Sequence, residues 1–433
     1  VLPSLFKSLA GSAGIRLLGM GFGFLVGIQL ARGLGVEGYG VYGLVMSWVS
    51  LAVLGAEFGI PHLATREIAS AMSSNSWGRI QQTVRWCFVA VARLSALMLI
   101  AGAIALALFP LEQDALKQAL WVGLLLVPLT AFGNLGGGML RGAHRIVAGQ
   151  LPEFVLRPAL FSLFLGLMVL AADGITVSSA MLASVLAAGL SAVVAIGLMR
   201  QVTREQDIPT ESVFSTNHLW AAAWPMAITE AVRVLNGNVA MLALGMLGTA
   251  EHLGWFRVAL SVSVLIAMPV SLVHIVTAPM FARMHASGDK TALQRLLGWT
   301  AVIMTAGVTV AVVPFLIWGE TLLRWMFGAG FEGGHAPLLI VSLGALISAL
   351  LGAAPILLNM VGQERRVARG YGVAMACLTV LCLILIPRFG HMGAAWASLI
   401  SVVIGSGLMW RDAHRIAGLD TSIRGCFVRP LSR

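Results

Sequence analysis

Eight charged residues stand inside long apolar runs of this 433-residue chain: Arg16, Glu57, Arg93, Glu153, Arg157, Glu230, Arg233 and Arg257. Two kinds of chemistry are open to them. A guanidinium is a planar fork of donors suited to bidentate contact with phosphate oxygens, and a carboxylate withdrawn from water can hold or release a proton near neutral pH. A charge at the centre of a lipid-facing helix costs about 3 kcal/mol on insertion scales. Eight would approach ~20 kcal/mol, more than the whole stability of a typical domain, so their side chains must face protein or water. Glu153 and Arg157 are spaced i,i+4, and Glu230 and Arg233 i,i+3; each pair shares a helical face and can neutralise itself. Arg16, Arg93 and Arg257 have no acid at such spacing, and Glu57 has no base.

A second motif points to other chemistry. Gly33-Leu34-Gly35-Val36-Glu37-Gly38 matches the glycine fingerprint of dinucleotide-binding folds, with Glu57 downstream where an acid would hold a ribose. Such a loop has to follow a buried strand and open a helix. Here Gly33 ends an apolar run of helical length, so the glycines read instead as a tight turn between two membrane helices. Walker, HExxH and GxSxG patterns are absent, and the four cysteines, Cys87, Cys377, Cys382 and Cys426, have neither CxxC nor zinc spacing. No metal, disulfide or other cofactor is expected.

The elements that position these residues follow from composition. The chain is 58% hydrophobic and 11% charged, with a mean hydropathy of +0.91; a soluble domain carries roughly a quarter charged residues. A bilayer core of about 30 Å takes roughly 20 apolar residues per helix. Twelve runs qualify, approximately 11–33, 41–61, 86–109, 118–140, 151–172, 177–199, 218–247, 254–282, 297–318, 335–361, 369–387 and 391–410. With the N-terminus inside, eighteen lysines and arginines fall in the inner segments, and only Lys117, Arg324 and Arg388 in the outer loops. Cytoplasmic loops are the basic ones, which puts both termini in the cytoplasm. The net charge of +10 is thus spread singly between spans, and nucleic acid is not an expected partner. The opening residues read as part of the first span rather than as a cleaved leader.

The chain also repeats itself. Gly142–Ala148 and Gly362–Ala368 both read GxxRxVA, Ile15–Gly19 (IRLLG) resembles Val232–Asn236 (VRVLN), and Tyr39–Tyr42 (YGVY) resembles Leu253–Phe256 (LGWF). Nearly equal offsets of about half the length argue for two parallel six-helix halves. The division reads as residues 1–200 for an N-terminal lobe, 201–217 for a polar cytoplasmic linker, 218–410 for a C-terminal lobe and 411–433 for a basic cytoplasmic tail.

The stretch ARGLGVEGYGVYGL from Ala31, its continuation LGAEFGIPHLATREIA at Leu54–Ala69, and the duplicated GxxRxVA resemble oligosaccharide flippases of the polysaccharide-transport family, within the multidrug/oligosaccharidyl-lipid/polysaccharide exporter superfamily. The resemblance implies an all-α polytopic membrane protein of about twelve transmembrane helices, in two pseudosymmetric six-helix lobes around a central cavity. It further implies a transporter, not an enzyme, that moves a polyprenyl-diphosphate-linked oligosaccharide across the bacterial inner membrane, with membrane lipids and glycan polymerase machinery as partners. Many relatives carry an aspartate in helix seven where this chain has Asn236 and Asn238, polar cavity candidates that put a shared ion site there in doubt.

Five arginines against three glutamates leave two positive charges over, about what a diphosphate needs. Arg16, Arg93, Arg157, Arg233 and Arg257 are therefore the candidate diphosphate ligands, and Glu57, Glu153 and Glu230 the candidates for H+ or Na+ coupling, Glu57 first. Arg16 heads a face with Gly19, Gly23 and Gly27, where small residues either pack a neighbouring helix or leave room for a head group. Arg233, with Gly237 and Ala240 on its face, reads as its counterpart in the second half. Pro128, Pro225, Pro269, Pro355 and Gly136–Gly138 are the expected kinks or hinges. Two alternatives remain open: a cation-coupled multidrug exporter on the same scaffold, and a membrane-embedded glycan polymerase or ligase.

Overall fold

In hydrocarbon no water is present to bond a free N–H or C=O, so a chain this apolar satisfies its backbone within helices. The computed structural model describes residues 2–108, 114–171, 174–204, 216–287 and 289–426, and among these residues no strand occurs. Fourteen α-helices follow one another: α1 (Leu2–Glu57), α2 (Ile60–Ser73), α3 (Trp77–Leu108), α4 (Asp114–Gly142), α5 (Ile146–Leu151), α6 (Arg157–Ala171), α7 (Val177–Arg204), α8 (Thr216–Leu247), α9 (Ala250–Ile266), α10 (Met268–Ser287), α11 (Lys290–Phe327), α12 (His335–Leu351), α13 (Ala354–Met360) and α14 (Glu364–Ala417).

Nine stretches of the described residues are long and apolar enough to cross a bilayer. Two of these, Gly11–Glu57 and Glu364–Ala417, each contain two helices joined at a corner, at Gly35 (φ 68°, ψ −175°) and Gly390 (φ 55°, ψ −132°). With α8, 32 residues long and carrying Glu230 and Arg233 near its middle, the total is twelve. The chain is an all-α, multi-pass membrane protein. Gly35 lies in a backbone region open essentially to glycine alone, so the glycine-rich stretch is a helix-to-helix corner and no strand precedes it.

The chain forms two compact units, Val1–Val234 and Leu235–Arg433. The dividing point falls inside α8, whose first half packs with the N-terminal helices through Leu219 and Ala223 on Leu63 and through a ring cluster in which Trp220 stacks edge-on to Trp86 (5.1 Å) and Trp224 meets Phe58 (5.3 Å). Of the expected linker, residues 205–215 lie outside the described residues, as do 427–433 of the expected tail. α14 continues to Ala417, and the chain then folds back onto the second unit. Gln294 donates to the Asp420 carbonyl (2.7 Å), Thr421 donates to the Leu351 carbonyl (2.8 Å), and Trp410 Nε1 donates to the Asp420 carboxylate (2.9 Å).

Gly136–Gly138 pack tightly, and the reading of them as a loosening is corrected. A Cβ on Gly138 would stand 2.5 Å from the Pro61 carbonyl oxygen, and one on Gly137 would stand 2.6 Å from that of Gly149. Backbones of α2 and α5 close on α4 there, and Thr65 Oγ1 donates to the Gly138 carbonyl at 2.8 Å. Pro128 and Pro225 do lie within α4 and α8. Pro269 and Pro355, by contrast, stand in the first turns of α10 and α13, where a missing N–H costs nothing.

Candidate functional site

The close α2–α4 packing and a local change of helical pitch build the site inside the first unit. Between α5 and α6, Pro152–Leu156 form a π-helical turn, a wider winding that often marks functional sites. A Cβ on Gly19 would overlap the Phe154 carbonyl of this turn, so α1 approaches the turn only because residue 19 is glycine. Glu153 lies within the turn. In place of the expected i,i+4 partner Arg157, its ion pair among the described residues is with Arg141 of α4, at 3.7 Å. Glu153 and Arg157 still line one cavity together.

Around this turn lie two neighbouring cavities. The larger, about 950 Å³, is lined by Arg16, Arg141, Arg233, Glu57, Glu153 and Glu230 together with His62, Thr65, Asn134 and Gln150. The smaller, about 510 Å³, shares Arg16, Glu153 and Phe154 and adds Arg157, Tyr42 and Gly23. Every lining residue belongs to the first unit.

Each glutamate has its own arrangement. Glu57 is buried, 8% exposed, and accepts a 2.6 Å hydrogen bond from Asn134 Nδ2. Glu153 has Arg141. Glu230 accepts from Arg233 Nε and Nη2, the expected i,i+3 pair, and its other side lies 3.5 Å from His62 Nε2. Two arginines on these walls, Arg16 and Arg157, have no carboxylate within ion-pair distance among the described residues. Arg16 lies over the Phe154 ring, 5.5 Å from its centroid.

The structure thus gathers Arg16, Arg157, Arg233, Glu57, Glu153 and Glu230. It places Arg93 exposed on α3, Arg257 in the second unit on α9, Asn236 there with its amide donating to the Tyr371 carbonyl at 3.3 Å, and Asn238 two residues further along α8. None of these four lines the two cavities. Sequence reasoning missed Arg141, His62 and Asn134. Arg141 had been assigned to a cytoplasmic loop, although it directly precedes the first GxxRxVA and so had a signal. His62 and Asn134 had none, because their partners are distant in sequence.

Just outside the larger cavity, Glu67 of α2 is buried between Arg66 (2.8 Å) and Arg79 (2.8 Å). Burial alone would raise its carboxyl pKa, but the two guanidinium hydrogen bonds outweigh it and hold the group below the usual carboxylate range.

A family model described as polysaccharide biosynthesis protein matches residues 6–285, most of the chain. The chain belongs to this polysaccharide biosynthesis protein family. Its fold is that of superfamily transporters already solved. An inward-facing multidrug resistance MATE family transporter of the MOP superfamily aligns with a TM-score of 0.74 at 14% identity, over 94% of this chain and 98% of that one. The lipid II flippase MurJ in an inward closed conformation aligns at 0.67 and 12% identity, over 95% and 89%. A MOP superfamily transporter from Pyrococcus furiosus, whose binding pocket is described as reversed in polarity, aligns at 0.67 and 15%, over 95% and 96%. No functionally curated protein matches in sequence. This polysaccharide biosynthesis protein therefore has a MATE- and MurJ-like transporter fold, with a charged chamber in its first unit.

Proposed function

We propose that this protein is a flippase that carries a polyprenyl-diphosphate-linked oligosaccharide, a precursor of polysaccharide or O-antigen, across the bacterial inner membrane. The observation that carries the reading is the pair Arg16 and Arg157. Both line the smaller cavity, neither has a carboxylate within ion-pair distance among the described residues, and two guanidinium forks suit the oxygens of a diphosphate. The family's description and a fold shared with a lipid II flippase favour the same substrate class.

In this reading both termini are cytoplasmic, and two lobes, joined by the polar linker near residues 201–217, rock about a central cavity. The diphosphate enters from the cytoplasmic leaflet and meets Arg16 and Arg157, while Arg141 and Arg233 remain held by their glutamates. The glycan occupies water-filled space and the polyprenyl tail stays in lipid. No covalent bond changes, and the glycan polymerase machinery receives the product. Glu57, whose one hydrogen-bond partner among the described residues is the neutral Asn134, is the preferred site for H+ or Na+ coupling.

The three glutamates on the chamber wall favour a second reading, a cation-coupled multidrug exporter. Proteoliposomes loaded with a fluorescent polyprenyl-diphosphate oligosaccharide separate the readings. Loss of the outer-leaflet pool's exclusive access to a quencher, dependent on Arg16 and Arg157, supports the flippase. Efflux of a small organic cation without lipid flipping supports the exporter, and a new covalent glycan product would make the protein a polymerase or ligase.

A further inference from the structure

A third cavity, about 260 Å³, lies in the second unit, far in sequence from the charged chamber. Its walls are Met284, Leu293, Val361, Ile416 and Leu419, and its polar residues are His285 and Lys290. Three bilayer-crossing stretches end at this point: one closes at His285, the next opens at Lys290, and the last closes at Ala417. The cavity therefore lies where three membrane-crossing stretches end together, with two exposed basic side chains beside it.

The cavity is built by the fold-back after α14. Leu419 forms a wall, pinned because Asp420 N donates to Gln294 Oε1 at 2.8 Å and the Gln294 amide donates to the Asp420 and Gly425 carbonyls. The nearby acids are engaged elsewhere. Asp289 caps α11 by accepting from Ala292 N, Asp420 accepts from Trp410 and Ser422, and Asp412 pairs with Arg366 and Arg369. Among the described residues neither Lys290 nor His285 has an acidic partner. Arg283 and Arg415, each next in sequence to a lining residue, are exposed as well.

The apolar side continues toward the bilayer. Val276, Met280 and Met284 recur every four residues on one face of α10; Met284 lines the cavity, and Val276 and Met280 are exposed. The volume equals roughly nine waters at ~30 Å³ each. That is room for a phosphate and the first few methylenes, with the remaining chain lying along the α10 stripe.

We propose that this cavity binds an anionic membrane phospholipid, with its phosphate on Lys290 and His285, its upper acyl carbons in the chamber and its tail along Met280 and Val276. A zwitterionic lipid brings no net charge to the rim, and a water-soluble phosphate gains nothing from the apolar wall.

Native mass spectrometry of the full chain, titrated with dioleoyl phosphatidylglycerol, tests this. Removing a basic residue near the membrane surface weakens anionic-lipid binding roughly fivefold. The double variant Lys290→Gln, His285→Gln should therefore lose at least fivefold in adduct population, Lys290→Arg should retain it, and Met280→Asn should weaken it without altering charge. Three results would overturn the proposal: unchanged adducts in the double variant, dioleoyl phosphatidylcholine bound as tightly as phosphatidylglycerol, or glycerol phosphate displacing the lipid at equal concentration, which would mark an aqueous phosphate site. The two rim residues are exposed, so the variants fold, and the result is independent of whether the first unit transports a glycan lipid.

Discussion

The five intramembrane arginines that looked equivalent in sequence should separate sharply on substitution by glutamine. Arg16 and Arg157 face the chamber without a carboxylate partner, whereas Arg93 is exposed on α3 and Arg257 lies in the other unit. A hydrogen-bonded contact to a charged group is worth about 1.5–3 kcal/mol, and each 1.4 kcal/mol is tenfold in affinity. Arg16→Gln and Arg157→Gln should each weaken binding of a polyprenyl diphosphate roughly 10- to 100-fold. Arg93→Gln should change it less than twofold. Arg233→Gln should fall between, because it also leaves Glu230 with only His62 beside it. Microscale thermophoresis of purified variants in nanodiscs reads this directly, and raised ionic strength should weaken the wild type while leaving Arg16→Gln less salt-dependent. If Arg93→Gln is as harmful as Arg16→Gln, or if Arg16→Gln binds normally, the chamber is not the phosphate site and the charge argument fails.

Other consequences follow from packing and titration. Gly35→Ala meets no neighbouring atom, so only backbone strain acts, and thermal unfolding in detergent should show a loss of about 1–3 kcal/mol; Gly14→Ala, at a helical position equally open, should be neutral or slightly stabilising. Gly19→Leu drives a side chain into the Phe154 carbonyl and should destabilise the protein by several times the cost of Gly14→Leu, with a normal melting temperature counting against the contact. Glu67 has a depressed pKa when folded, so its contribution is complete above the unfolded carboxylate value of about 4.3 and is lost as pH falls through the lower folded value. Glu67→Gln should accordingly lower the melting temperature at pH 7 and flatten its decline below pH 4.5, whereas an unchanged acid limb would show that the ion pairs do not matter. Asn134→Leu removes the hydrogen bond to buried Glu57 and should change the pH dependence of transport; an identical profile would dissociate Glu57 from coupling.

Most of the architecture was legible because hydrocarbon permits so few structures. Length and polarity of the apolar runs were sufficient for the helical class and the twelve helices, and the Gly35 corner followed from glycines at the end of a membrane-length run. The i,i+3 pair Glu230–Arg233 was legible too, since both residues sit on one regular helix. The companion Glu153–Arg157 pair was not, because Arg141 of α4, brought alongside only by the fold, takes the Glu153 carboxylate. The glycine triplet of α4 was misread for a related reason: glycine loosens a helix when nothing packs on it and tightens a bundle when another backbone does.

By itself the sequence determined how many membrane helices form and that most of the eight charges had to be shielded from lipid, since both depend on local composition and on the cost of an unsatisfied group in hydrocarbon. Only the tertiary structure decided which groups meet across helices. Glu57 with Asn134, Glu153 with Arg141, and His62 with Glu230 join residues 77, 12 and 168 positions apart. Their pairing is set by how closely α1, α2, α4 and α8 approach, and that depends on glycines whose role becomes visible only when a second backbone lies against them.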